Sequence, residues 1–316
     1  MSFKYTSSNV GSPTPSVLER DRAPQHDVAS IIKDFLRGLP SHKLPKDDYA
    51  VIKIMEAMRV EMDTYELSSP LLERTMYLAA SSAELGFPGY TFDEKKNIAL
   101  YSWYVVYIDD TVLTDAHPFV AFQQRFMRGL PQLDPVLDAY AAVLHALCDQ
   151  YDTLPANFIL SATFEYISAT CLEPVLPEVT IRRRFPGFLR DRTGLGIPYA
   201  LFVLAKPHSE HCIRFFASCS QALPDMNFWI AGINDVLSFY KEECAGEQNN
   251  YIHNRAHADG KAPPAVLCDM IQELLEASDN IYVALPPRAR ETWRSFEAGV
   301  IAWHLEQDRY RLKELI

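Results

Sequence analysis

Glycine is scarce in this chain, 12 of 316 residues, and no stretch alternates apolar and polar residues for the length of a strand. That pattern argues against a many-stranded sheet with tight hairpins. None of the six cysteines, Cys148, Cys171, Cys212, Cys219, Cys244 and Cys268, forms a C-x-x-C pair. A zinc site and a disulfide framework are both disfavoured, and the thiols are expected to be reduced and mostly buried. Basic residues are outnumbered 30 to 41, for a formal charge of −11. An acidic surface argues against nucleic-acid binding. It would also repel a polyanionic ligand unless metal ions and a local basic cluster received it. The longest apolar run, residues 98–108, is broken by Ser102 and is too short to span a bilayer. No apolar h-region follows the N-terminus, so no secretion signal is expected and the expected location is cytoplasmic. There is no internal repeat of about 20 to 50 residues.

What the chain does have is apolar residues at helical spacing. Hydrophobic residues make up 48% of it, enough for a large core, and the 21 prolines cluster between periodic segments. That punctuation suits helices joined by short turns. Residues 1–24 are rich in Ser, Pro and Thr and read as a disordered or loosely attached tail. One all-α domain is predicted for residues 25–316. Its helices are expected at 28–39, 49–62 and 70–85, then from the capping box Thr91-x-x-Glu94 to about 113. Others are expected at 119–128, 134–151, 156–172, 188–204, 211–223, 225–244, 264–283 and 288–305. Residues 245–260 read as a polar loop and 306–316 as a polar, basic tail.

Two polar clusters interrupt the apolar pattern. In the stretch from Asn234 to Glu243, the residues Asn234, Ser238 and Glu242 recur at i, i+4 and i+8. At about 100° per residue they stay within roughly 80° of arc on one helical face. An amide, a hydroxyl and a carboxylate form an oxygen-only set, suited to a hard cation such as Mg²⁺. Lys241 lies on the same face and suits a phosphate beside that cation. The preceding residues 228–233 are almost wholly apolar, so the polar set begins where a buried helix ends, as at the mouth of a cavity. The second cluster, Asp109-Asp110, directly follows the apolar run 98–108. Adjacent carboxylates at the edge of a core repel each other and lose hydration, and the negative end of a helix dipole adds to the cost. A divalent cation removes that problem.

In this order, the two clusters resemble the metal motifs of a class I terpene synthase. Asp109-Asp110 is similar to the aspartate-rich motif, and Asn234-Asp235-x-x-Ser238-x-x-Lys241-Glu242 to the second metal motif. Residues 188–195, which contain Arg190, are similar to the segment that senses diphosphate. Asp308-Arg309-Tyr310 resembles the C-terminal Arg-Tyr pair of the fungal trichodiene synthase-like cyclases. The likeness spans roughly residues 70–312. It implies an α-helical bundle around an apolar cavity open at one end, and a Mg²⁺-dependent sesquiterpene cyclase acting on farnesyl diphosphate. Three Mg²⁺ ions would hold the prenyl diphosphate, two on Asp109 and one on Asn234, Ser238 and Glu242. Arg190, Lys241, Arg309 and Tyr310 would donate hydrogen bonds to it. A homodimer is compatible with the resemblance.

One departure stands out. Where the aspartate-rich motif has its third acid, this chain has Leu113. The next acid, Asp115, is six residues from Asp109 and points to the far side of a straight helix. Asp109 is then the ligand expected from this motif, and Asp110 is left to a supporting or closing role. Arg192 is an alternative to Arg190, and Arg74 is a further candidate contact. The cavity wall is expected among Tyr101, Val105, Asn227 and Ile230, with Trp103, Tyr104, Phe164 and Trp303 as further candidates. Gly194 and Gly196 are placed to break the helix behind Arg190. Two rival readings are a chain-elongating prenyltransferase on the same fold and a non-catalytic helical binding protein. A metal phosphohydrolase built on His26-Asp27 is set aside, because no histidine set converges on it.

Overall fold

The structure, a computed structural model, describes residues 27–39, 46–178, 181–205 and 213–316. The expected tail at 1–24 lies outside the described residues, as do His26 and Cys212. Among the described residues every regular element is helical. In chain order these are α1 (Val28–Gly38), α2 (Asp48–Thr64), α3 (Pro70–Gly86), α4 (Phe92–Val112), α5 (His117–Met127), α6 (Pro135–Gln150) and α7 (Thr153–Thr170). They continue as α8 (Phe185–Thr193), α9 (Gly196–Leu204), α10 (Ile213–Cys219), α11 (Leu223–Ala245), α12 (Tyr251–Asp259), α13 (Pro263–Ala284) and α14 (Pro287–Glu306).

Helix α4 is the central pillar. Residues 98–105 are all buried, and a helix buried on every side can only sit inside the bundle. Its start is the expected capping box: Glu94 N–H donates to Thr91 Oγ, and Thr91 N–H donates to Glu94 Oε2. The polar atoms of its aromatic residues are spent on neighbours. Trp103 Nε1 donates to the Leu72 carbonyl of α3 at 2.8 Å, and the Tyr101 hydroxyl meets Thr163 Oγ1 of α7 at 2.9 Å. Around α4 pack α2, α3, α6 and α7, while α11 is held by α1, α8, α9 and α13. Helix α14 closes the ring by packing on α3 and α9. One core cluster runs from Ile32 in α1 to Leu315 near the C-terminus.

Several expectations need correction. Residues 245–260 are not all loop: α12 forms within them, its start capped by Asn250 Oδ1, which accepts from His253 N–H. Its end is Gly260, at φ 66°, where a glycine takes the left-handed turn without a Cβ penalty. The span 188–204 is two helices, parted at Leu195, whose φ of 51° is left-handed, so the break expected at Gly194 and Gly196 is there. Neither flanking glycine has positive φ; both are there for close approach. A Cβ at Gly194 would stand 2.4 Å from Ala231 Cβ, and one at Gly196 would stand 2.4 Å from the Asn227 carbonyl oxygen. The C-terminal segment is docked, not a loose polar tail. Two 3₁₀ turns, Asp308–Tyr310 and Leu312–Glu314, bury Tyr310 and Leu312, and Leu315 is buried after them. The cysteines are free, but only Cys219 of the five described is buried; Cys244 and Cys268 are exposed on α11 and α13.

Candidate active site

Two cavities meet between α4 and α11. The inner one, about 230 Å³, is bounded by Leu78, Ala79 and Ser82 of α3 and by Ser102, Val105 and Val106 of α4. Leu195 and Tyr199, Ile230 of α11, and Phe296, Val300, Trp303 and His304 of α14 complete much of its wall. The outer one, about 260 Å³, is polar: Asp109, Glu173, Arg190, Asp235 and Glu242 line it, together with Asn234, Asn249, Asn250 and Asn254. Asp109, Arg190, Thr193 and Asn234 belong to both, so the polar mouth opens onto the apolar pocket.

The mouth is rich in acid. Its lining holds four carboxylates and one guanidinium. Asp109 is exposed to solvent at the edge of the mouth, yet many protein atoms surround its carboxyl. That desolvation pushes its carboxyl well above the usual range; Glu173 and Asp110 add to the shift, while the Tyr166 hydroxyl and Arg190 oppose it. The Tyr166 hydroxyl lies 2.5 Å from Asp109 Oδ1 and 3.0 Å from the Val105 carbonyl oxygen. Asp235 is raised to about 6 because burial outweighs the pull of Arg190. Burial also raises Glu173 and Glu242, opposed by Arg190 at the first and mainly by Lys241 at the second.

Arg190 is the organised cation. Its Nε donates to Asp235 Oδ2 at 2.9 Å, its Nη2 lies 2.8 Å from Asp235 Oδ1, and Nη2 also donates to the Ala231 carbonyl at 3.1 Å. This two-pronged pair fixes the guanidinium plane at the mouth. Arg192 is turned away: its guanidinium lies 3.8 Å from the centre of the Phe188 ring, and Nη1 donates to the Phe188 carbonyl. Arg74 is exposed on α3 and lines neither cavity.

On α11, Asn234 and Glu242 reach the mouth. Ser238, one turn from each, is only 3% exposed and lines neither cavity. Lys241 Nζ lies 3.3 Å from Glu242 Oε1 and 6.0 Å from the Tyr310 ring centre. Burial raises the Tyr310 hydroxyl to about 12, partly offset by Arg309 and Asn234. Arg309 is exposed, its guanidinium 5.5 Å from the Tyr310 ring centre. On the other wall, Asp110 and Leu113 are exposed, and Asp115 Oδ1 accepts from His117 N–H at the start of α5. Asp115 thus serves a turn.

The donors at the mouth suit a hard divalent cation. They are carboxylate and amide oxygens with an excess of negative charge that one arginine does not balance. Among the described residues no three acidic, histidine or cysteine side chains close on one point. The candidate ligands Asp109 and Glu242 instead stand on helices facing each other across the opening.

Of the expected pocket residues, Val105, Ile230 and Trp303 line the inner cavity. Tyr101, Trp103, Tyr104, Asn227 and Phe164 do not. Trp103 and Tyr101 are committed to α3 and α7 as above, Phe164 packs on Phe122 and Phe126, and Asn227 backs Gly196. Missed were Phe87, Ser102, Tyr199, Phe296 and His304, and at the mouth Glu173, Asn249, Asn250 and Asn254. Only α12 had a usable signal, an Asn cap ten residues before Gly260.

Comparison with known proteins gives the chain's family. A family model described as trichodiene synthase (TRI5) matches residues 86–316. The chain is 31% identical over 299 residues to terpene synthase BipA of Cochliobolus sativus, covering 90% of this chain and 89% of that protein. It is 27% identical to longiborneol synthase CLM1 of Gibberella zeae, covering 98% and 94%. Among solved structures, the linalool/nerolidol synthase of Streptomyces clavuligerus in complex with 2-fluorogeranyl diphosphate superposes with a TM-score of 0.65 at 11% identity. That match covers 85% of this chain and 99% of the bacterial one, and it carries the fold alone.

Proposed function

This chain belongs to the trichodiene synthase family and is a terpene synthase, and we propose that it is a magnesium-dependent sesquiterpene cyclase acting on farnesyl diphosphate. The observation that carries this reading is the shared wall: an acidic mouth with one fixed arginine opens onto an apolar pocket. A ligand with a diphosphate head and a hydrocarbon tail matches both halves.

In this reading Asp109 on one wall and Asn234 and Glu242 on the other would hold the Mg²⁺ ions, while Ser238, buried and lining neither cavity, stays behind them. When bound there, magnesium would supply Lewis acidity to the diphosphate leaving group. Arg190, Lys241, Arg309 and Tyr310 donate hydrogen bonds to the diphosphate oxygens, where negative charge grows as the C1–O bond breaks. The bonding pair leaves with the diphosphate, and an allylic cation stays in the pocket. The rings of Phe87, Tyr199, Phe296 and Trp303 line that pocket, and aromatic rings can stabilise a nearby cation. The apolar wall from Leu78 to Val300 keeps water from quenching it. Cyclisation ends when the cation loses a proton or captures a water. No helix among the described residues is long and apolar enough to cross a membrane.

The test is incubation of the protein with farnesyl diphosphate, with Mg²⁺ or with EDTA, followed by gas chromatography–mass spectrometry. A cyclic C15 product formed only with metal is expected. No product and no diphosphate release, from folded protein also given the C10 and C20 substrates, sinks the reading.

A comparison of two carboxylates tests the choice of ligand. Asp109→Ala is expected to lower turnover at least about 100-fold, as loss of a group that stabilises the transition state does. Asp115→Ala, which removes only the bond to His117 N–H, is expected to cost about 0.5–2 kcal/mol of stability and little activity. Equal inactivity of the two folded variants would overturn the assignment of Asp109.

A further inference from the structure

We infer that His304 is a positioning residue: it fixes which end of the Asn234 amide faces the mouth. This rests on the reading of Asn234 as a metal ligand given above. His304 is 3% exposed and lies on α14, beside Asn234 of α11 in the wall of the inner cavity. Its Nδ1 lies 2.8 Å from the Val300 carbonyl oxygen one turn back. A carbonyl only accepts, so Nδ1 carries a hydrogen. In the neutral ring Nε2 is then an acceptor.

Asn234 Nδ2 lies 3.3 Å from that Nε2. An amide has one donor end and one acceptor end, and only the NH₂ end satisfies a bare ring nitrogen. With Nδ2 turned to His304, Oδ1 is held free for a cation. The rings of Trp303 and Tyr310 pack against the imidazole, with centroids 4.8 Å and 4.6 Å from its own. Without an acceptor at 304, the Asn234 amide is free to present NH₂ to the cation, which it cannot ligate.

An aspartate at 234 has two equivalent oxygens and needs no such orientation. That supplies the test. Mn²⁺ binding in the presence of inorganic diphosphate is measured by electron paramagnetic resonance for the wild type, His304→Phe, His304→Gln, Asn234→Asp and the His304→Phe/Asn234→Asp pair. His304→Phe is expected to weaken Mn²⁺ binding about tenfold. His304→Gln, whose amide can donate to Val300 and accept from Asn234, is expected to bind within about twofold of the wild type. In the Asn234→Asp background, loss of His304 is expected to change affinity less than about twofold.

An equal tenfold loss in both backgrounds marks a merely structural role and overturns the inference, as does wild-type affinity in His304→Phe. Failure of the wild type itself to bind Mn²⁺ overturns the metal reading and this inference together. A ¹⁵N–¹H correlation spectrum of the wild type needs no variant. A hydrogen on Nδ1 alone of His304 is expected, and one on Nε2 overturns the inference even if His304→Phe does not fold.

Discussion

Glu242→Gln is expected to cut metal-dependent turnover at least about 100-fold while leaving helix content unchanged, equivalent to roughly 2.7 kcal/mol of barrier. The substitution keeps the side chain's size and changes only its charge and basicity. Glu242 lies in the last two turns of α11, where its backbone carbonyl receives the N–H of Gly246. That cap survives an amide side chain. What is lost is the carboxylate that lines the mouth opposite Asp109, together with the partner of Lys241 Nζ at 3.3 Å. Lys241 is freed by this, so any gain in diphosphate binding through it works against the expected loss. Diphosphate release followed over a Mg²⁺ titration, with far-ultraviolet circular dichroism, separates the effects. Turnover near that of the wild type would remove the α11 metal set from the mechanism.

Gly299→Ala is expected to be the most damaging single change to the scaffold. A Cβ at 299 would stand 1.9 Å from the Leu85 carbonyl oxygen and 2.9 Å from Gly86 Cα. Here α3 and α14 touch backbone to backbone, so no flexible side chain can yield. The helices must part, at a cost of about 3 kcal/mol or more. At about 2.1 cal/mol/K per residue of unfolding entropy, that lowers the melting temperature by roughly 5 °C. The damage also reaches the pocket, because Phe296, Val300, Trp303 and His304 lie on α14 and Gly86 and Phe87 face them. A shifted product distribution should accompany the lower melting temperature. An unchanged thermal unfolding curve would mean that α14 is seated differently.

The parts legible in the sequence were those written in local spacing. Thr91 and Glu94 marked the start of α4, and the unbroken apolar run after them marked its burial. Asn234 and Glu242 recur at a helical interval, and both do line the mouth. Ser238 sits at the middle of that arc yet is buried, because spacing fixes a side chain's angle around the helix and not what packs over it. What failed depended on partners distant in sequence. Trp103 and Tyr104 share α4 with Val105, but their angle around the helix sends them into the bundle. Phe296 and Tyr199 reach the pocket only because α14 and α9 are seated where they are. Glu173 meets Asp109 through a 3₁₀ turn (Glu173–Glu178) with no periodic signal. The choice of Arg190 over Arg192 waited on Asp235, 45 positions later.

The left-handed residue at Leu195 makes the chain intolerant of changes in length at that point. Its conformation costs a non-glycine residue on the order of 1–2 kcal/mol, and it sets the rotational phase of everything after it. One inserted or deleted residue between Arg190 and Tyr199 would turn α9 by about 100° relative to the arginine. Tyr199 would leave the pocket, and the backbone of Gly196 would lose its seat against Asn227. Homologues that keep this arginine and this ring should therefore align through residues 190–199 without gaps, while tolerating gaps elsewhere. Grafts between relatives are best joined outside that segment.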